Sequence, residues 1–150
     1  MSDWRYRKKR LAIDTRLQKY FNARYVEEKS TIIEKTKEQL TEYFAKERKD
    51  FDIPLLYAGT EFQQKVWNSL RKIPFGKTET YLGLSKLLGN EKAIRAVATA
   101  NGANAISIII PCHRVIGSNG SLVGYAGGLK AKKSLLYLEN TIINSQLELF

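Results

Sequence analysis

The sequence predicts a mixed α/β (α+β) fold, with a small N-terminal α/β lobe over residues 1–59 followed by a helix-turn-helix lobe over 60–150. Three observations point there. Helix-start signals with Thr-x-x-Glu/Gln spacing stand before amphipathic stripes. Two short helical stretches meet at a Gly-Asn turn, the helix-turn-helix pattern. A short β-branched run, "ISIII" at 106–110, reads as a buried strand.

The elements follow in chain order. Residues 1–29 are charged and aromatic without a clear period, and read as a partly ordered arm. Thr31 and Glu34 have capping-box spacing, and Ile33, Thr36, Leu40 and Phe44 with Tyr43 beside them form a helical stripe over about 31–47. "FDIPLLYAGT" then reads as extended, punctuated by Pro54 and Gly59. Thr60 and Gln63 make a second capping box. Phe62, Val66, Trp67 and Leu70 give that helix its apolar face, and Pro74 and Gly76 end it. A helix over about 80–88 carries Leu84, Leu87 and Leu88. Gly89-Asn90 stops it and caps a helix over about 91–101.

That last helix is rich in small residues: Ala93, Ala96, Ala98 and Ala100. Ile94 and Val97 can face the core, which leaves Arg95 as one long cation projecting from a thin helix. It suits a groove, and equally an ordinary Ala-rich helix with a solvated arginine. Pro111 ends the "ISIII" strand because it lacks an N–H and restrains its neighbour. A turn at Ser118–Gly120, a glycine-rich loop at 124–128 and a helix over about 129–140 with Leu129, Leu135, Leu136 and Glu139 complete the chain. The tail from 141 is uninformative.

Composition narrows the function. Hydrophobic content of 43% is ordinary for a globular protein. No run approaches the length of a membrane helix, so no membrane partner is expected. The start, "MSDWRYRKKR", is basic and lacks an apolar h-region, unlike a secretory signal. One cysteine cannot form an internal disulfide, which fits a reducing compartment. One Cys and one His are too few for a structural zinc site. The formal net charge of +10 suggests a polyanionic partner, against the alternative of general solubility. Fourteen basic and ten acidic residues precede Thr60, and eleven and five follow, so the second lobe is the more one-sidedly basic.

The one cysteine, Cys112, and the one histidine, His113, are neighbours in "PCHRV". A free thiol near pKa 8.5 is only a few per cent ionised at neutral pH, so a thiol nucleophile needs a base. An imidazole can take the proton directly or through water, and an acid such as Glu139 can orient that imidazole. On an extended chain adjacent side chains point to opposite faces, so the pair cooperates only across a turn. The alternative is a buried, inert cysteine beside a surface histidine.

The longer string decides more. "RAVATANGAN", "IPCHRV" and "GYAGGLKAKKSLLYLE", in this order and spacing, resemble the methylated-DNA–protein-cysteine methyltransferases, also called O6-alkylguanine-DNA alkyltransferases. The resemblance runs from about Thr60 to Asn140. It implies a winged-helix-like alkyltransferase lobe acting on double-stranded DNA that contains O6-alkylguanine, as a monomer, in the cytoplasm or, in a eukaryote, the nucleus. It implies that Cys112 accepts the alkyl group once and for all, with His113 as general base through a water, Glu139 holding the imidazole and Asn104 supporting the turn before the thiol. Tyr81 would help rotate the target phosphate and contact the flipped base. Val115, Tyr125, Ala126 and Gly127 would form the guanine pocket. Arg95 would fill the vacated place in the duplex, with Asn90, Lys92 and Ser118 near the DNA backbone. No metal or organic cofactor is implied, because the lesion itself donates the alkyl group.

The sequence departs from the family pattern in three places. Only about fifteen residues precede the segment that matches the family's N-terminal lobe, so either that lobe is expected to be shortened or the chain is a piece of a longer protein. Ala126 stands where some members carry Ser, and Ala105 where many carry Pro. Three rivals are weighed: a non-catalytic alkyl-lesion-binding sensor, which would replace the cysteine; a thiol hydrolase; and a sequence-reading helix-turn-helix regulator.

Overall fold

A computed structural model describes residues 1–140; the tail read as uninformative lies outside the described residues. Among the described residues, six α-helices and one two-stranded sheet make up the regular structure: α1 (Arg10–Phe21), α2 (Thr31–Phe44), α3 (Glu61–Leu70), β1 (Glu79–Thr80), α4 (Tyr81–Leu87), α5 (Ile94–Gly102), β2 (Val115–Ile116) and α6 (Gly128–Leu138). A 3-10 turn at Glu91–Ala93 leads into α5, and another at Cys112–Arg114 leads into β2. The strands pair in parallel, Glu79 with Val115 and Thr80 with Ile116. This is a helix-rich mixed α/β architecture.

The second lobe follows its local signals. Thr60 caps α3 as a full capping box, its hydroxyl accepting from Gln63 N and the Gln63 side chain accepting from Thr60 N. Val66, Trp67 and Leu70 are buried, while Phe62 lies half in water. Gly89, at φ +78°, ends the α4 segment in a conformation that disfavours a Cβ. Asn90 then caps the next turn by accepting from Lys92 N at 3.0 Å. Helices α3, α4 and α5 bury Val66, Trp67, Leu70, Leu84, Val97 and Ala100 around Ile110, Cys112 and Val115. The thiol therefore lies inside the main core. Ile94 is exposed rather than core-facing, and Val97 alone anchors that turn of α5.

Four further expectations are corrected. The opening residues form a helix, α1, where a partly ordered arm was predicted. Only Ile13 of α1 is buried, so no apolar stripe could announce it. Polar contacts hold it instead: Arg16 Nη2 donates to Ala103 O at 2.7 Å, and its guanidinium lies over the Trp67 ring. Thr31 is the first residue of α2, not its cap; Ser30 takes that place without a side-chain bond. The buried face of α2 is Gln39 and Tyr43, because both find polar partners: Asp52 N donates to Gln39 Oε1, and Tyr43 Oη donates to Glu139. Ile33, Thr36 and Leu40 of the predicted stripe instead line an apolar cavity of about 530 Å³ with residues of α1 and of the extended 53–58 segment.

The fourth correction is the "ISIII" strand. It is a buried turn, with isolated bridges Ser2–Ile106 and Ser107–Ile110 and with Ile108 at φ +74°. Asn104 makes this possible. Its carboxamide accepts from Ile106 N and donates to Ile110 O, replacing ladder bonds that a strand would need.

Candidate active site

The turn that a cooperating Cys–His pair requires is present. Pro111 and the 3-10 turn at Cys112–Arg114 bend the chain directly after the buried 106–110 turn, and Cys112, His113 and Arg114 are all buried. Asn104 Nδ2 donates to Cys112 Sγ at 3.1 Å. Burial pushes the Cys112 thiol up; the Asn104 bond and the Lys132 charge oppose it without reversing it. The resting thiol therefore holds its proton and needs a base.

His113 is fully buried, with Nε2 2.8 Å from Glu139 Oε1. Burial drives the imidazole pKa down, against the raising effect of Glu139 and with help from the Arg114 and Lys132 charges. Burial alone would raise the Glu139 carboxyl, but hydrogen bonds from His113, Arg114 and Tyr43 outweigh it and hold it down at about 2. An ionised carboxylate only accepts, so the proton of the neutral ring sits on Nε2. Nδ1 is buried with no hydrogen-bond partner among the described residues. It is a free lone pair on a neutral imidazole in the residue next to the thiol, which is what a general base must offer.

Glu139, at the C-terminal end of α6, collects the surrounding elements. Arg114 Nε donates to Oε2 at 2.9 Å and Nη2 to Oε1 at 3.0 Å. Tyr43 Oη of α2 donates to Oε1 at 2.6 Å, and Gly76 N to Oε2 at 3.2 Å. Arg114 Nη1 also donates to Ile73 O at 2.6 Å.

The remaining expected residues fall into two groups. Tyr81 opens α4 and is buried in the same core as Cys112 and Val115, with Tyr125 packed against it. Asn101 Nδ2 lies 3.4 Å from both Tyr81 Oη and Cys112 O. Burial, then the nearby thiol, pushes the Tyr81 phenol up to about 12. Burial raises Tyr125 as well, and its ring stands edge-on to His113 with centroids 6.4 Å apart. Ala126 is partly exposed and Gly127 buried in the loop before α6. Asn90, Lys92, Arg95 and Ser118 all lie exposed on the outside, the first three at or beyond the turn between α4 and α5 and Ser118 in the 117–121 turn. The structure thus brings Cys112, His113, Asn104, Glu139, Tyr81, Val115 and Tyr125 together and keeps the four outer residues at the surface.

Sequence reasoning missed Lys132, Arg114, Asn101 and Tyr43. Lys132 is fully buried, and its Nζ donates to Val115 O at 2.5 Å, Val123 O at 2.7 Å and Gly124 O at 3.3 Å. It pins the loop beneath the expected pocket to β2, and burial brings its pKa down to about 8. Its position was legible: 132, 135, 136 and 139 share one helical face. Among the described residues no group of three or more His, Cys, Asp or Glu could hold a metal ion. No described helix is long and apolar enough to cross a membrane.

One lobe thus holds a buried thiol, a neutral imidazole fixed by a carboxylate, and a helix-turn-helix with Lys92 and Arg95 exposed. Residues 61–141 match the family model for the 6-O-methylguanine DNA methyltransferase DNA-binding domain. The methylated-DNA–protein-cysteine methyltransferase of Methanosarcina acetivorans is 57% identical over 103 residues, covering 69% of this chain and 66% of that protein. The structure of Mycobacterium tuberculosis OGT in complex with DNA superposes with a TM-score of 0.69 at 50% identity, over 70% of this chain and 64% of that one. The O6-methylguanine-DNA methyltransferase of Pyrococcus kodakaraensis, at 24% identity, shares the fold with a TM-score of 0.70 over 89% of this chain and 78% of that one. The chain belongs to the methylated-DNA–protein-cysteine methyltransferase family. It spans about two thirds of the length of these first two relatives.

Proposed function

We propose that this protein repairs DNA by moving the alkyl group of an O6-alkylguanine in duplex DNA onto its own Cys112, once per molecule. His113 Nδ1 takes the thiol proton through a water. The thiolate attacks the alkyl carbon in line, the S–C bond forms as the C–O6 bond breaks, and the electron pair stays on guanine. The imidazolium gives the proton back through the water to the guanine anion, so guanine ends with one proton gained, Cys112 with a thioether and His113 neutral, and atoms and charge balance. The imidazolium formed on the way is stabilised by the Glu139 carboxylate, which stays ionised throughout because its pKa is near 2.

The reacting carbon of such a lesion lies inside the base stack while Cys112 lies inside a protein core, so the base has to leave the duplex. In this reading the pocket is Tyr81, Val115, Tyr125, Ala126 and Gly127, in the 60–150 unit. Arg95 occupies the gap in the stack, entering from the minor groove on a helix whose small residues permit close approach. Asn90, Lys92 and Ser118 hold the phosphate backbone without reading sequence. Of the two compartments expected, the cytoplasm is the one an archaeal or bacterial cell offers.

The observation that carries this reading is the buried His113, whose Nε2–H is fixed on Glu139 and whose Nδ1 has no partner among the described residues, in the residue after a buried thiol. The test is intact-protein mass after mixing with a duplex oligonucleotide bearing one O6-methylguanine. A gain of one methyl, saturating at one per molecule and absent from Cys112→Ala, is the expected result. Lesion-preferring binding without any mass gain would identify a sensor instead.

A further inference from the structure

The opening segment lies across the candidate site and ties its two sides together. Ser107 N donates to Ser2 O at 2.6 Å, and Ser107 Oγ donates to Asp3 Oδ1 at 2.8 Å. The Asp3 side chain is fully buried and paired with Arg7 at 2.5 Å, while Arg7 also donates to the carbonyls of Asn104 and Gly102. Residues 2, 3 and 7 thus fasten onto the chain that leads into Cys112. Trp4 fastens onto the chain on the other side. Its Nε1 donates to Tyr125 Oη at 3.0 Å, and the two rings meet edge-on at 5.9 Å. Its indole covers Gly127 so closely that a Cβ there would fall 2.5 Å from a ring carbon. Tyr6 Oη donates to Gly127 O at 3.3 Å.

Trp4 is the largest rigid group of this segment and packs on Tyr125 and Gly127, two residues of the proposed pocket, while its neighbours Asp3 and Arg7 hold the segment to the chain before Cys112. Asp3 with Arg7 is a buried ion pair anchored to two carbonyls, and withdrawing the segment would strip those partners. From this juxtaposition we infer that Trp4 is a specificity-determining residue, the outer wall of the alkyl-accepting side of the pocket, and that it limits the size of the adduct Cys112 can take. This rests on the proposed alkyl transfer. A methyl group asks little room beyond guanine itself. A benzyl adduct exceeds it by a phenyl ring, which is smaller than the indole that stands there.

The test uses the full chain and two duplex oligonucleotides, one with O6-methylguanine and one with O6-benzylguanine, with transfer followed by intact mass. The quantity read is the ratio of the benzyl to the methyl second-order rate constant. It should rise at least about tenfold in Trp4→Ala, less in Trp4→Leu, and stay near wild type in Trp4→Phe, the scale on which pocket size discriminates substrates. A ratio that does not move across the series overturns the inference, including the case where both rates rise together because the segment is a general barrier. Thermal unfolding is recorded for each variant. If Trp4→Ala does not fold, the order of Leu and Phe decides in the same way. A wild type that transfers no methyl at all sinks the proposed function itself, whereas methyl transfer with a fixed ratio sinks only the role of Trp4.

Discussion

The two ends of the second lobe are built on opposite principles. Around the thiol, most polar groups are buried and already partnered by protein, with His113 Nδ1 an exception: Glu139 alone receives five hydrogen bonds from four residues. Around the helix-turn-helix, Asn90, Lys92, Arg95 and Ser118 stand in water. The contrast teaches where organisation is settled in advance. The acid–base pair is oriented before any substrate arrives, so little reorganisation is left for the reacting complex. The outer face keeps its long side chains solvated, which leaves them free to meet a polyanion.

Glu139→Gln should produce the largest effect, because it attacks the organised end. It leaves the Arg114 guanidinium buried beside a neutral amide, the kind of broken pair that costs about 3–5 kcal/mol. Transfer should slow about a hundredfold or more, since the ring loses the anion that orients it and stabilises its protonated form. Quenched-flow transfer and chemical denaturation read the two losses. The pH profile sharpens this. The folded Glu139 pKa of about 2 lies below its ordinary 4.5, so the unfolded chain binds more protons between those values. The stability it contributes is therefore present above pH 4.5 and lost as pH falls toward 2. His113 works in the same direction from a higher pH. Its folded pKa is depressed below 6.5, so stability drops as the unfolded imidazole protonates beneath that value. Glu139→Gln should flatten the acidic limb, and an unchanged limb would mean that other carboxylates dominate it.

Arg95→Ala comes next and probes the solvated end. If Arg95 fills the broken stack as proposed, its loss should slow transfer from duplex DNA about tenfold, with a smaller loss on the free base O6-methylguanine, which has no stack to fill. Equal losses on both substrates would place Arg95 in the pocket rather than the duplex. Lys92→Ala should be the mildest. Duplex affinity falls modestly and the slope of log affinity against log salt shrinks by about one, measured by anisotropy titration across salt. A slope that stays put would remove Lys92 from the phosphate contacts.

The same division governs what could be read from sequence. Local signals survived where the chain decides its own conformation: the Thr60–Gln63 box and the Gly89-Asn90 stop depend on neighbours three or fewer positions away. The Cys112–His113–Glu139 set was also legible, because its string is distinctive and Glu139 follows at a helical remove. Readings failed where distant groups outvoted local preference. Ile106–Ile110 has a strand's composition, yet the Asn104 carboxamide bonds its backbone into a turn. The Ile33–Phe44 stripe looked like the buried face of α2, yet Gln39 and Tyr43 are buried because their partners lie at Asp52 and Glu139. Helix α1 carried no periodic signal, since it is held by Arg16, which reaches Ala103 O just past α5, and by Arg7 before the helix, which reaches Gly102 O.

Glu139 also bears on how such a site can be switched off without being destroyed. One carboxylate joins α2 through Tyr43, the bend after α3 through Gly76 and the Cys112–Arg114 turn through His113 and Arg114, so it is a keystone of the fold besides its proposed part in the chemistry. The thiol holds far less in place, because its sulfur takes a single hydrogen bond from Asn104. A lineage abandoning the chemistry while keeping lesion recognition would therefore meet least resistance at position 112 and most at 139. Inactive descendants of such a chain should keep the acid long after the nucleophile has gone.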